Sequence, residues 1–515
     1  MSLSVERGAA VRGALLITGS TYAAYVLSLF SGAIVARELG PTVYGQYAYV
    51  AWLAGWLVIA VNHGFNTTGI RFIAESLGRG SPDTARDIHG WLARRQRASL
   101  AIVLLAFVAI SWWSKPEAWQ GALLLFICVV TISVVSRSAY LFGISMAKGH
   151  GAFHVEALSM CVVSAASLIG VASLAAFDAP LTAYLGLFAA TGAGQWFFAA
   201  MMLRRAQIRP RHGVLDPLLV DAIKRHLMWT VVLVAAVELG SKSVETFLLN
   251  GFVGSAEVGF FTIAATLTRS GTDLLVIGLN TVLMPAMGRA FGAGGTVRVQ
   301  VIFYESLSFF LFFGLLLAGA GALWSNAAIT LLYGAQYAPV IPALQAMVIV
   351  GGFTLSEAAF GSLLSTTGRQ STLAKISVLS LVLSGIFAVI LVPRFGLSGA
   401  IVSYSVSKLI AFAALALSVF RAPEVALPTR ALSRILTAAC IAAGIAVPIP
   451  WLAPGVATNI LAGILYVVVL AILTVLLKAW NRTQVEMMLA VSNRLPSAFG
   501  ALRLPLEIWR DRFTH

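Results

Sequence analysis

GALLITGSTYAAYVLSLFSGAIVA, residues 13 to 36, carries no charge and follows Arg7 and Arg12. Basic residues ahead of an apolar run also mark a secretory signal, but a signal's apolar region has only about 7 to 15 residues. At about 1.5 Å per residue this run is long enough to cross about 30 Å of hydrocarbon, so it reads as a retained first membrane helix.

The rest of the chain has the same character. Of 515 residues, 59% are hydrophobic and 11% charged, where a soluble chain would carry about a quarter charged residues. Mean hydropathy is +0.90. Fourteen runs of near-membrane length can be read, which predicts an all-α polytopic membrane protein. The third, 98–113, is short unless its helix starts among the basic residues before it.

Net charge is +15, and its distribution explains it. With the N-terminus in the cytoplasm, 28 of the 35 Lys and Arg residues fall in cytoplasmic segments. Only Arg37, Lys115 and Arg394 fall on the other side. That is the positive-inside asymmetry, and it predicts a multi-pass membrane protein with both termini cytoplasmic. Basic runs such as RRAQIRPRHG (204–213) would face anionic lipid headgroups. They lack the interleaved aromatics of a single-strand groove, so no nucleic-acid partner is implied.

Cys128, Cys161 and Cys440 lie far apart in apolar runs without CxxC spacing, which argues against disulfides and zinc. No GxxxxGK[ST], HExxH or GxSxG is present, the outer loops are short, and nothing calls for a cofactor or catalytic residue. The expected function class is transport rather than catalysis.

The basic connection 204–226, with two prolines, separates two sets of six helices, 1–203 and 227–420. At an offset of 214, LGPTVYGQYAYVAW meets FVGSAEVGFFTIAA, with Gly40 on Gly254, Gly45 on Gly259 and Asn66 on Asn280. Six helices per half give both halves one orientation, a parallel pseudo-two-fold repeat with a cleft between them. Helices 13 and 14 (421–480) fall outside it. The polar tail 481–515 is either amphipathic on the inner leaflet or disordered.

ARELGPTVYGQYAYVAWLAGWLVIAVNHGFNTTGIRFIAE (36–75), FVGSAEVGFFTIAATL (252–267) and VLMPAMGRAFGAG (282–294) resemble the polysaccharide flippases of the multidrug/oligosaccharidyl-lipid/polysaccharide exporter superfamily. The resemblance implies a twelve-helix core in two bundles with an optional extra pair, and a cationic central cavity. It implies carriage of an undecaprenyl-diphosphate-linked oligosaccharide to the periplasmic leaflet by ion- or potential-driven alternating access, for surface or exopolysaccharide synthesis. Partners would be that substrate, membrane lipids, and a polysaccharide polymerase with other assembly proteins. A multidrug or cation antiporter and a lipid II flippase of the same superfamily are the alternatives.

Charges inside the apolar runs are the candidate site residues. Glu238, Lys242 and Glu245 stand at i, i+4 and i+7, on one helix face. Counting back from the turn near Val253 to Glu257 sets Lys242 level with Arg269 and Glu238 level with Asp273. Each charge at a helix centre costs about 2.5 to 3.5 kcal/mol to insert, so these groups face each other or water. Either they form a neutral lock, Glu238 with Lys242 and Arg269 with Asp273, or they line a wet cleft. In the cleft Lys242 and Arg269 would hold a diphosphate or acidic sugar, while Glu238, Glu245 and Asp273 would carry the coupling ion. Lys408 and Arg71 are second-tier substrate-binding candidates, and Asn62, His63 and Asn66 could meet a headgroup or bond between helices. Arg137 and Glu305 are read as lying near cytoplasmic helix ends, where snorkelling is favoured. No metal site is expected.

Overall fold

The computed structural model describes residues 2–114, 117–241, 244–367, 369–421, 429–481 and 484–486. Among these there is no strand. The helices begin with α1 (Ser2–Asn62), α2 (Phe65–Gly78), α3 (Pro82–Ser114), α4 (Leu123–Gly149), α5 (His154–Ala176) and α6 (Leu181–Arg205). They continue with α7 (Pro217–Ser241), α8 (Val244–Phe252), α9 (Ser255–Ala328), α10 (Val340–Phe353), α11 (Glu357–Thr366) and α12 (Gln370–Phe420). The last are α13 (Thr429–Ala446), the short α14 (Ile449–Leu452) and α15 (Val456–Leu476).

Three of these runs hold two membrane helices each. In α1 the backbone reverses at Gly40, φ 71° and ψ 168°, just before Pro41. In α12 it does so at Gly396, φ 55°, three residues after Pro393. Within α9, Gly295 takes φ 63°. Only glycine enters this region without steric cost, and proline cannot continue the hydrogen-bond ladder. Counting these runs twice, taking α7 with α8 and α10 with α11 as single crossings, and leaving out the short α2 and α14, gives the fourteen membrane helices the hydropathy predicts. Ten helices among the described residues are long and apolar enough to span. The short third run is resolved as expected, because α3 starts at Pro82 among the basic residues.

The chain forms two compact units. The first comprises 1–262 with 388–397. In it α1 packs on α5 and α4 on α6, around a core of Val50, Ala54, Val61, Phe126, Val130 and Leu185. A second cluster of Phe72, Ile73, Ile88, Leu92, Met146, Leu215 and Ile223 draws the connection 206–216 against α3. There Gly213 N–H donates to Asp87 Oδ1 at 2.8 Å, and Arg211 pairs with Asp83 at 2.9 Å and Asp87 at 3.7 Å. This part of the basic loop is thus neutralised by protein carboxylates.

The second unit comprises 263–387 and 398–515. Its core includes Phe303, Leu307, Phe310, Leu355, Phe360 and Leu415. Here α13 and α15 pack against the second half of α9. Tyr466 OH donates to the Leu315 carbonyl at 2.8 Å, and Trp324 Nε1 donates to the Ile460 carbonyl at 3.1 Å. The two helices outside the repeat therefore belong to this unit. Trp480 stacks between Phe309 and Phe312, anchoring the start of the tail.

Candidate functional site

In the second unit, the crossing formed by α10 and α11 is interrupted by a tight turn at Thr354–Ser356. The break makes Glu357 the first residue of α11, where the helix dipole favours a carboxylate. Glu357 accepts a 2.7 Å hydrogen bond from Lys408 Nζ on α12. Both side chains are partly exposed, at 36% and 24% for Lys408 and Glu357. Arg269 on α9 is within electrostatic range of Lys408, and its own side chain is exposed. Asp273, one turn further along α9, is half-buried. Of the predicted cations, Lys408 is held by Glu357, and Arg269 lies within electrostatic range of Lys408.

The other predicted residues lie in the first unit. Glu245 is fully buried near the start of α8. Lys242 and the Glu238 side chain fall outside the described residues. Arg71 is exposed on α2, its guanidinium 5.3 Å from the Phe72 ring centroid. Beside it, His226 Nδ1 is 3.2 Å from the Thr68 hydroxyl and 3.2 Å from that of Thr230, with its ring edge-on to Phe72. Burial, and then the Arg71 cation, push the His226 pKa down. Asn62 bonds between helices, donating to the Ser138 carbonyl at 3.2 Å and accepting from Gln96 at 3.4 Å.

One expectation is overturned. Arg137 does not snorkel at a helix end but sits halfway along α4, enclosed among α1, α5 and α6. Its guanidinium lies 4.2 Å from the Phe188 ring centroid and donates to the Phe188 carbonyl at 3.4 Å. Helix length carried the missing signal. Gly149 ends α4 twelve residues later, about 18 Å along the axis, further than an arginine reaches. Arg137 helps line a cavity of about 290 Å³ together with Ser31, Tyr47, Tyr184, Phe188 and Gln195.

Along the second half of α1, Tyr49 stacks on Trp52 at 5.6 Å, Trp52 meets Trp56 at 6.0 Å, and Phe247 of α8 stacks on Trp52 at 6.2 Å. The indole N–H groups of Trp52 and Trp56 are enclosed with no acceptor among the described residues. The partly exposed faces of such an aromatic row suit a flat apolar sugar face.

Comparisons with known proteins agree with this architecture. The fold is similar to that of the lipid II flippase MurJ in an inward closed conformation, with TM-score 0.68 and 14% identity over 89% of this chain and 98% of that one. It is similar to an inward-facing multidrug resistance MATE family transporter of the MOP superfamily, with TM-score 0.62 and 13% identity over 76% and 94%. It is also similar to the Vibrio cholerae MATE transporter VcmN, with TM-score 0.57 and 16% identity over 81% and 98%. No curated protein sequence matches. The family model described as polysaccharide biosynthesis protein matches residues 10–291, more than half of the chain, and the chain belongs to that family.

Proposed function

We propose that the protein is a flippase that moves an undecaprenyl-diphosphate-linked oligosaccharide from the cytoplasmic to the periplasmic leaflet for surface or exopolysaccharide synthesis. The observation that carries this reading is the partly exposed Lys408–Glu357 pair in a membrane-spanning unit, with Arg269 within electrostatic range of Lys408. A diphosphate or acidic sugar competes with Glu357 for Lys408, while Arg269 presents a bidentate fork. Lys242 and Arg71 are the further substrate contacts of this reading, and Glu238, Glu245 and Asp273 its ion-coupling groups. The Trp52 and Trp56 row offers the sugar a stacking surface. An ion gradient or the membrane potential drives alternating access.

The test is depletion in the native cell with a leaflet-resolved assay of undecaprenyl-linked saccharide. Accumulation on the cytoplasmic face supports flipping. An unchanged distribution together with loss of drug resistance sinks it in favour of an antiporter, and accumulation of lipid II alone in favour of a lipid II flippase. Lys408→Ala and Arg269→Ala should each lower transport at normal membrane insertion. Full transport in a Lys408→Glu, Glu357→Lys swap would reduce the pair to a structural lock.

A further inference from the structure

We propose that the cavity around Arg137 in the first unit binds a small anion, either a carboxylate or an inorganic anion of similar size. The guanidinium keeps its charge under all ordinary conditions. Holding such a charge out of water costs several kcal/mol unless it is paired and fully hydrogen-bonded. The protein supplies the Phe188 ring face and the Phe188 carbonyl, both neutral. Arg137 Nε is enclosed and has no acceptor among the described residues. None of the described residues lining the cavity is an aspartate or glutamate.

A second donor is equally unsatisfied. Tyr184, only 2% exposed, lines the same cavity, and its hydroxyl is enclosed without a partner among the described residues. Ser164 and Ser167 line the same wall, while the Ser31 and Thr191 hydroxyls donate to the Leu27 and Phe188 carbonyls. An anion in the cavity neutralises the cation and brings acceptors to the side of these donors. A water molecule could take the hydrogen bonds but would leave the charge. At about 290 Å³ the space holds a small anion and several waters, each water filling about 30 Å³. It is far too small for a whole lipid-linked oligosaccharide. The site is built from first-unit residues alone and does not depend on the transport reading. Two sources share its chemistry, a free inorganic or carboxylate ion and the carboxylate of a single acidic sugar.

The test is titration of the purified full-length protein in detergent with chloride, acetate, glucuronate and glucose, read by calorimetry. Saturable binding of the anions is expected. Affinity should fall about tenfold or more in Arg137→Gln, as the loss of a charge-assisted hydrogen bond requires, and stay unchanged in the exposed-site control Arg205→Gln. Glucuronate binding well above acetate supports the site as one for an acidic sugar; equal binding of all three anions supports a free-ion site. Glucose binding as tightly as glucuronate, no saturable anion binding, or equal affinity in wild type and Arg137→Gln overturns the proposal. If Arg137→Gln fails to fold, Tyr184→Phe decides. It keeps charge and shape, so anion affinity should fall about threefold to tenfold, the worth of one neutral hydrogen bond, and unchanged affinity overturns the proposal.

Discussion

Gly45 and Gly259, 214 residues apart and aligned in the internal repeat, each lie against the turn that precedes the other. A side-chain carbon on Gly45 would run into the Ser255 carbonyl, and one on Gly259 would sit 2.9 Å from the Pro41 carbonyl oxygen. The contact is reciprocal, as a pseudo-two-fold axis demands. It explains why both positions are glycine, since backbone on the far side cannot move aside as a flexible side chain would.

Gly45→Ala should therefore destabilise the protein by about 1 to 3 kcal/mol, the usual cost of overpacking. Thermal unfolding in detergent measures it, with Gly444→Ala as comparison, where an added carbon meets nothing within 4 Å. Equal melting temperatures for the two variants would show that the turns do not approach as described.

Lys408→Ala strips Glu357 of its 2.7 Å partner and leaves a carboxylate in a membrane-spanning unit. A fully buried pair broken this way costs about 3 to 5 kcal/mol. Partial exposure lowers the expectation to about 1 to 3 kcal/mol, because water screens the remaining charge. Glu357→Gln combined with Lys408→Met should recover most of that stability while transport stays low. Recovery of both would assign the pair to structure alone.

Asp87→Ala removes the acceptor of the Gly213 N–H and one of the two carboxylates facing Arg211. The loss should cost about 1 kcal/mol, because the Gly213 N–H is only partly buried and water can replace the carboxylate. It should also free the segment 206–216 locally. Limited trypsin digestion reads this directly: cleavage after Arg211 should accelerate several-fold at a temperature where the bundle is intact.

His226 makes stability depend on pH. Its pKa is pushed down in the folded protein, by burial and then by Arg71, so the unfolded chain binds the proton more readily. Its contribution is fully present above the unfolded value of about 6.5 and is lost as pH falls through the lowered folded value. Melting temperature should decline between about pH 7 and pH 5 more steeply in wild type than in His226→Gln. Parallel profiles would refute the assignment.

Hydropathy already specified the number of crossings, because insertion free energy adds up along a segment and needs no knowledge of neighbours. The turn at Gly40 and its counterpart at Gly254 were legible too, through glycine and proline chemistry that acts within a few residues. The candidate cluster was half legible. Arg269 and Lys408 stood out as charges in apolar runs, but that Glu357 pairs with Lys408 depends on the packing of α11 against α12, which no local signal in the sequence carries.

The sequence by itself determined the all-α membrane class, the repeat and the set of charges that must be kept from lipid. The tertiary structure alone decided which of those charges meet: that Lys408 faces Glu357, that Arg211 is held by Asp83 and Asp87, and that Arg137 lies inside a bundle rather than at its rim. The physical reason is that burial along a chain is a one-dimensional sum. The partner of a charge is set by the rotation and close approach of helices, through small residues such as Gly45 and Gly259 far apart in sequence.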